Sequence, residues 1–350
     1  MIDPDIRESM DMIRESAGGI VGEDLTRVRG LRYTAPGFDR AVWREICDMG
    51  WPALRVSEAE GGAGLGMLPY CALAEELGRG LLPEPLIPAS LAAAFLKDEA
   101  LARHLSGERL VLPAWQDSRG ALGPETPLAL KDGKLTATKL YVPMAAGADD
   151  FLVIGTDGAA LVAADAPGVT VTAQETQDGG TLATVAFADA PAERIAIDPT
   201  PALAEATLAS SAYLLGLMEA ALDMTVAYLK TRVQFGKTIG TFQILQHMAV
   251  DLKLETTLTR ACVEDAAERW DREGPTPANL AGVSRTRIRA ARAAAKVTRD
   301  CIQLHGGIGF TDEHDIGLYL RKAMAEAGRF GSIDAHRARY ATLKPVGEEA

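Results

Sequence analysis

Residues 232–251 have the sequence RVQFGKTIGTFQILQHMAVD, in which an arginine and a phenylalanine directly precede a turn with two glycines. From Phe242 onward apolar residues recur at helical spacing, so a turn at 236–240 is predicted to lead into a long helix. A guanidinium and the free amides of a helix start both suit phosphate oxygens, which makes Arg232 a candidate for binding an anionic ligand. Taken alone, a solvated helix start without a ligand is the simpler explanation.

The chain has 350 residues, of which 47% are hydrophobic and 24% charged, and this length predicts two or three domains. Its net charge of -12 argues against nucleic acid and against an anionic membrane surface as partners. The sequence has no run of apolar residues long enough for a membrane span and no signal-peptide core, so we expect a cytoplasmic protein without membrane insertion. The four cysteines lack metal-ligand spacing, and we expect them to be reduced core residues: Cys47, Cys71, Cys262 and Cys301.

The period of the apolar residues changes twice along the chain, and these changes predict three domains. Residues 1–107 have helical spacing, interrupted by the glycine-rich loop SEAEGGAGLG at 57–66. Residues 108–198 contain short β-branched runs and the hairpin signal KDGK at 131–134, which predict a small antiparallel β-barrel or sandwich. Residues 199–350 return to helical spacing and predict a four-helix bundle.

The four bundle helices are predicted over 203–231, 242–271, 279–304 and 316–327. Short connections favour an antiparallel arrangement of these helices. The third helix is rich in basic residues, which are typical of a solvated helix face: Arg285, Arg287, Arg289, Arg292 and Lys296.

Several blocks of sequence, taken together and in this order, resemble the acyl-CoA dehydrogenase family over nearly the full length. The blocks are GWPALRVSEAEGGAGLG at 50–66, AEELGRG at 74–80, GKLTATKLYVP at 133–143, ADDFLVIG at 148–155, RVQFGKTIGTFQILQH at 232–247 and QLHGGIGFTDE at 303–313. The resemblance implies a mostly α fold with a helical N-terminal domain, a central β-barrel and a C-terminal helical bundle. The chain length and the segment LLPEPLIP at 81–88 resemble the short subunits of bacterial members from steroid and side-chain degradation, which assemble from two different subunits.

The resemblance also implies that FAD lies between the β domain and the bundle, and that a neighbouring subunit completes its adenosine and pyrophosphate end. Carried over residue by residue, the residues that each subunit supplies to the FAD site across that interface are Arg232 and Phe235 of the RxxFG turn and Gln303, Gly306 and Gly307 of QxxGGxG. The chemistry is consistent with this role, because a guanidinium pairs bidentately with a pyrophosphate and glycines let the backbone approach it closely.

The sequence departs from the family where the flavin ring is expected. The stretch WQDSRGALGPETP at 115–127 lacks the family's Gly-Ser-Asp, and Pro143 replaces a threonine that bonds the flavin, although proline offers neither an N–H nor a hydroxyl. The family's catalytic carboxylate falls on Phe330, which cannot accept a proton. An alternative family position for the base falls on Ala206, and its neighbour Glu205 is turned away from that position by roughly 100° on a helix.

Two hypotheses follow, because acyl-CoA oxidation in this family needs a carboxylate to remove the α proton while the flavin accepts the β hydride. In the first, the chain is an active homo-oligomeric acyl-CoA dehydrogenase that uses Glu205 or another unaligned carboxylate as its base. In the second, which the missing ring-side motifs favour, the chain completes the FAD site of a partner subunit in a homo- or hetero-oligomer. The substrate of the assembly is an acyl-CoA thioester in both hypotheses.

Overall fold

The structure is a computed structural model that describes residues 3–22 and 24–343. Its first part is helical, and side-chain carboxylates of Asp3 and Asp39 cap the first and third helices. The six helices are α1 Pro4–Ala17, α2 Thr26–Leu31, α3 Arg40–Asp48, α4 Met67–Arg79, α5 Leu86–Ala93 and α6 Asp98–Leu105. The sequence did not predict α2, which is six residues long and has no fully buried side chain to produce an apolar period.

The central part is formed by strands, which make two four-stranded sheets ordered β1-β4-β5-β8 and β2-β3-β7-β6. The strands are β1 Val111–Ala114, β2 Ala129–Lys131, β3 Lys134–Pro143, β4 Asp150–Gly155, β5 Gly158–Ala163, β6 Val169–Glu175, β7 Thr181–Pro191 and β8 Glu193–Ile195. The predicted hairpin at KDGK is confirmed as the β2–β3 turn. No closed ring of strands is assigned within residues 3–22 and 24–343, and the two sheets share one apolar core.

The pairing of β1 with β4 is parallel, which corrects the expectation of a purely antiparallel domain. Parallel neighbours need a crossover of about a dozen residues or more, and residues 115–149 provide one that contains the β2–β3 hairpin. The other pairings among the eight strands are antiparallel. A local hydrophobic period cannot reveal this difference, because it reports which face of a strand is buried and not the direction of its neighbour.

The last part is a helical bundle with a short hairpin between its first two helices. The elements are α7 Thr200–Thr231, β9 Val233–Gln234, β10 Lys237–Thr238, α8 Gln243–Glu273, α9 Pro277–His305, α10 Ile316–Glu326 and α11 Ile333–Leu343. The four predicted bundle helices are confirmed. The additional helix α11 was not predicted, because only His336 among its side chains is fully buried and no apolar stripe results.

One basic residue of α9 does not lie on a solvated face. Arg287 on α9 is completely buried, so the interpretation of all the basic residues of this helix as a solvated face is wrong for this one.

The domain limits predicted near residues 107 and 198 fall in the connections between α6 and β1 and between β8 and α7. As domain limits they remain predictions.

The central element of the bundle is α7, which packs against α4, α8, α9 and α10. By length and composition α7 is apolar enough to cross a membrane, which corrects the expectation that no such run is present. Since 61% of the relevant window is buried inside the fold, packing accounts for its composition. Where α7 crosses α4, a Cβ atom on Gly216 would overlap the carbonyl oxygen of Glu75, and one on Gly78 would overlap that of Tyr213. The two backbones therefore approach to a distance that only glycine permits at these positions.

We expect Gly216→Ala to lower the free energy of unfolding by about 3 kcal/mol or more, because the added methyl group forces the two helix backbones apart. Gly282→Ala on α9 is the matched control, since a Cβ there meets no atom within 4 Å. Removing a helix-interior glycine should make that variant about 0.5–1 kcal/mol more stable. Urea unfolding of both variants measures the difference, and equal effects would contradict the close-contact interpretation.

Candidate functional site

The turn between α7 and α8 presents Arg232 and Phe235 on the protein surface. Phe235 is 90% exposed and has a left-handed backbone conformation, with φ of 53°. Its ring packs edge-to-face on Phe242 at 6.1 Å between centroids, and the Nζ atom of Lys237 lies 4.2 Å from the Phe242 centroid. The sequence places two cations and two aromatic rings in this turn, and the fold leaves them accessible.

The second predicted motif lies at the end of α9, where Gln303, Gly306 and Gly307 are exposed. Gly306 ends the helix with φ of 66°, and a Cβ on either glycine would meet no atom within 4 Å, so the backbone here faces open space. The ring of Tyr228 on α7 stacks on His305 at 4.6 Å between centroids. This contact holds the ends of α7 and α9, and therefore the two motifs, at the same end of the bundle.

Within the described residues, the side chains of Arg232 and Gln303 have no hydrogen-bonding partner from their own chain. Exposed polar groups without partners, next to accessible glycine backbone, form a surface that can bind the phosphates of an external ligand. The structure thus brings together residues of the kind that the pyrophosphate end of a dinucleotide requires.

The ring-side region lies elsewhere, where the end of β1, the end of β3 and the loop after α10 converge. Trp115 and Phe330 stack there with ring centroids 6.5 Å apart and an angle of 11° between the planes, and both are buried. Together with Tyr141 and Pro143 they line a cavity of only about 30 Å³. Ligand pockets are typically about 300–1,000 Å³, so the residues present here do not fit a flavin ring.

The loop that carries Phe330 is fixed by hydrogen bonds to its backbone. Arg287 donates from Nη2 to the carbonyl oxygen of Arg329 at 2.8 Å, and His336 Nε2 donates to the carbonyl oxygen of Phe330 at 2.9 Å. With Nε2 protonated, His336 Nδ1 accepts from the hydroxyl of Ser284 at 3.2 Å. The position of the phenylalanine ring is therefore set by the fold and not by a free loop.

The other carboxylate candidate, Glu205, lies on α7 and is engaged by three donors. Its Oε2 atom accepts from Arg55 Nε at 3.1 Å, and its Oε1 atom accepts from Arg55 Nη2 and from Trp270 Nε1, the latter at 2.9 Å. It lines a cavity of about 320 Å³ next to Tyr70. The next residue, Ala206, belongs to the apolar cluster that contains Trp115 and Phe330.

Sequence reasoning missed the residues that hold Glu205 and the Phe330 loop in place. Arg55 lies inside one of the recognised blocks, but it pairs with a carboxylate 150 residues further along the chain. Arg287 and His336 are ordinary members of helices and hold the Phe330 loop only after α9, α10 and α11 have packed together. No local pattern signals such contacts.

Comparison with known proteins identifies the family. Residues 7–102 match the acyl-CoA dehydrogenase N-terminal domain, and residues 200–342 match the acyl-CoA dehydrogenase C-terminal domain. Acyl-CoA dehydrogenase IpdE2 of Mycobacterium tuberculosis is 32% identical over 333 residues, which cover 91% of this chain and 92% of that protein. Acyl-CoA dehydrogenase FadE27 of the same organism is 34% identical over 344 residues, covering 88% and 91%. The chain belongs to the acyl-CoA dehydrogenase family.

Solved structures agree with this assignment. The Tcur3481-Tcur3483 steroid ACAD G363A variant has a TM-score of 0.85 at 29% identity and covers 97% of each chain. The ChsE4-ChsE5 complex from Mycobacterium tuberculosis has a TM-score of 0.85 at 26% identity, covering 98% of this chain and 97% of that one. The predicted fold class, mostly helical with a central β region, is confirmed.

Burial, together with the charges of Arg287 and Arg339, lowers the pKa of His336 to about 3. Because the unfolded histidine titrates near 6.5, the unfolded chain binds one more proton than the folded chain as the pH falls below that value. We expect this group alone to make the protein about 1.4 kcal/mol less stable at pH 5.5 than at pH 7.5.

Urea unfolding of His336→Asn at both pH values checks this. The variant should be less stable than the wild type at pH 7.5, by about 1–3 kcal/mol for the disturbed hydrogen bonds. Between pH 7.5 and pH 5.5, its free energy of unfolding should fall less than that of the wild type. His247→Asn on the exposed surface of α8 is the control and should follow the wild type. An unchanged pH dependence in His336→Asn would contradict the assignment.

Proposed function

We propose that this chain is a half-site subunit of an FAD-dependent acyl-CoA dehydrogenase. By half-site subunit we mean a subunit that supplies residues to the FAD site of a partner and lacks a complete site of its own. The observation that carries the proposal is the buried stack of Trp115 on Phe330, because the resemblance to the family implies that the flavin ring and the base belong at this position. The assembly is cytoplasmic and catalyses the α,β-desaturation of an acyl-CoA thioester from lipid or steroid degradation.

The length of α7 supports a role in trans. Ala206, near its start, lies in the same apolar cluster as Phe330, whereas Arg232 directly follows its last residue. These positions are 26 residues apart on one continuous helix, or roughly 39 Å, which exceeds the width of a small domain. Arg232 therefore lies far from the ring-side region of its own chain and is available to another subunit.

The exposed motifs around Arg232 and Gln303 and the ring-side region around Phe330 also differ in chemistry, as the proposal requires. When bound, FAD supplies the hydride acceptor for the oxidation. Arg232, Phe235, Gln303, Gly306 and Gly307 fit its pyrophosphate and adenosine end, since they offer a guanidinium, an aromatic face, an amide and accessible backbone N–H groups. On the ring side Pro143 has no donor, and the cavity has no room for the flavin.

An exposed apolar surface supports assembly with another subunit. Four large apolar side chains on α8 are more than half exposed: Ile244, Val250, Leu254 and Leu258. Phe235 and Phe310 extend this apolar surface at the end of the bundle that carries the FAD-binding motifs. Contiguous apolar patches of this kind mark protein interfaces in soluble proteins. The similarity to the ChsE4-ChsE5 complex supports a partner that is a different subunit of the same family.

The alternative, an active homo-oligomer that uses Glu205 as its base, has one supporting observation and one against it. In support, Glu205 lines a cavity large enough for part of a substrate. Against it, both carboxylate oxygens of Glu205 already accept hydrogen bonds from Arg55 or Trp270. We therefore assign proton abstraction to the partner subunit.

The flavin content of the chain tests the proposal directly. Purified alone, the chain should be colourless, and co-produced with an acyl-CoA dehydrogenase subunit encoded by a neighbouring gene it should co-purify as a yellow complex. In that complex Arg232→Ala should weaken flavin binding by on the order of 10 to 100-fold, because a charge-assisted contact to the pyrophosphate is lost. Visible absorbance per protein after gel filtration measures the flavin.

Arg7→Ala, at an exposed arginine on α1, is the matched control and should retain the flavin content of the wild type. A lone chain that carries stoichiometric flavin would reject the half-site proposal. Equal flavin content in the Arg232→Ala and Arg7→Ala complexes would remove the role assigned to Arg232.

An isosteric change at Glu205 tests whether this residue is the base. In the reconstituted complex Glu205→Gln should keep turnover within about twofold of the wild type, whereas loss of a general base costs on the order of 10² to 10⁴-fold. Glu60→Gln, which makes the same isosteric change at another residue lining the cavity, is the control for effects on the cavity alone. A large loss of turnover at normal flavin content in Glu205→Gln, but not in Glu60→Gln, would establish Glu205 as catalytic.

A further inference from the structure

A groove between α9, α11 and the middle of α8 has a charge that is unusual for this protein. The groove has a volume of about 800 Å³, and five of the side chains that line it are cations on one face of α9: Arg285, Arg289, Arg292, Lys296 and Arg299. They are spaced four, three, four and three residues apart, so they form one straight row of about 21 Å. The whole chain carries a net charge of -12. We call this surface the basic groove.

The carboxylates near the basic groove neutralise this row only in part. Arg289 pairs with Glu255 at 2.7 Å. Among residues 3–22 and 24–343, Glu255 is the only acidic residue that lines the groove. Arg285, at one end of the row, pairs with Asp265 at 2.8 Å. Towards the other end, Asp300 is shared by Lys296 at 2.7 Å and Arg299 at 3.9 Å. In the middle of the row, Arg292 is exposed and has no ion-pair partner among the residues that the structure describes. The groove therefore retains a positive surplus on an otherwise acidic protein.

The floor of the basic groove is apolar, and its edge is shared with the apolar surface of α8. Ile288 of α9 and Ile333 and Tyr340 of α11 line the groove together with the cations. Glu255 directly follows Leu254, one of the exposed apolar residues of α8. A segment that fits here carries carboxylates on one side and apolar groups on the other, and it continues the surface proposed above as the subunit interface.

A second copy of this chain is a poor occupant of the basic groove. In a two-fold symmetric contact each copy presents the same patch to the other, so two rows of cations would face each other. Like charges brought together at an interface cost several kcal/mol, and Glu255 is already occupied by Arg289. The same arrangement favours a different subunit with carboxylates at the matching positions.

We propose that the basic groove docks an acidic segment of a sister acyl-CoA dehydrogenase subunit and thereby selects this hetero-oligomer over self-association of the chain. The inference rests on the half-site function proposed above and adds the chemistry of the partner to it. The guanidinium groups of Arg285, Arg292 and Arg299 bind carboxylates of the segment, and the apolar floor packs against its remaining side chains. Ionic strength acts in opposite directions on the two associations, because salt screens both the attraction and the repulsion.

The experiment compares two triple charge reversals, with the acyl-CoA dehydrogenase subunit from a neighbouring gene as the probe. One variant combines Arg285→Glu, Arg292→Glu and Arg299→Glu in the basic groove. The other combines Arg119→Glu, Lys131→Glu and Lys134→Glu in the β region and makes the same change in net charge. Sedimentation velocity at low and at high salt measures complex formation, visible absorbance measures flavin, and circular dichroism checks that each variant is folded.

The groove variant should bind the sister subunit at least about tenfold more weakly than the wild type and lose most of the salt dependence, whereas the β-region variant should match the wild type. The isolated wild-type chain should self-associate more strongly at high salt than at low salt. A groove variant that binds with wild-type affinity and salt dependence, in a complex that still carries flavin, would overturn this inference and leave the half-site function intact.

Two other outcomes also count against the inference. If the wild-type chain does not bind the sister subunit and carries flavin when purified by itself, both the inference and the half-site function fail. If equimolar free coenzyme A abolishes the salt-dependent association of the wild type, the groove binds a small phosphorylated ligand, and the docking of an acidic protein segment is rejected.

Discussion

The close packing of α7 against α4 is the constraint on which the arrangement of this protein depends. Gly78 and Gly216 let the two backbones touch, and this contact sets α7 at the centre of the fold, with α8, α9 and α10 around it. Because α7 is one continuous helix, its two ends are held far apart. One end borders the ring-side region and the other presents Arg232, so the two regions lie at opposite ends of the same helix.

The loop around Phe330 has a defined backbone although it carries no carboxylate. The buried guanidinium of Arg287 donates to the carbonyl oxygen of Arg329 and to the hydroxyl of Ser210, and burial lowers the pKa of Arg287 to about 10. It therefore stays charged at neutral pH. Burying a cation is costly unless its donors are satisfied, and these carbonyl and hydroxyl acceptors offset part of that cost. The stack with Trp115 then fills the remaining space with aromatic contact.

The distribution of satisfied and unsatisfied polar groups separates the interior of this subunit from the surfaces that it offers to others. The side chain of Glu205 and the backbone of Phe330 accept hydrogen bonds from their own chain. The side chains of Arg232 and Gln303 have no hydrogen-bonding partner among the described residues. Residues that serve their own subunit are usually held in place by it, and residues that await a ligand or partner remain exposed. This contrast supports the half-site function proposed above.

The sequence by itself determined the order of helical and stranded regions, the four long bundle helices, and the family. These follow from local periodicity and from motifs whose spacing is short. Its resemblance to the family also predicted that Phe330 and Pro143 stand where the family has a carboxylate and a threonine. The predicted sites at Arg232 and Gln303 could be named from motifs, but their shared end of the bundle could not.

Only the tertiary structure decided which distant residues contact each other. The parallel pairing of β1 with β4, the burial of Arg287 and the engagement of Glu205 by Arg55 all join residues that are distant in the chain. A period of two or 3.6 residues states which face of an element is buried, but it does not state what that face meets. Such contacts are set by how the elements pack, because many different pairings are compatible with the same apolar faces.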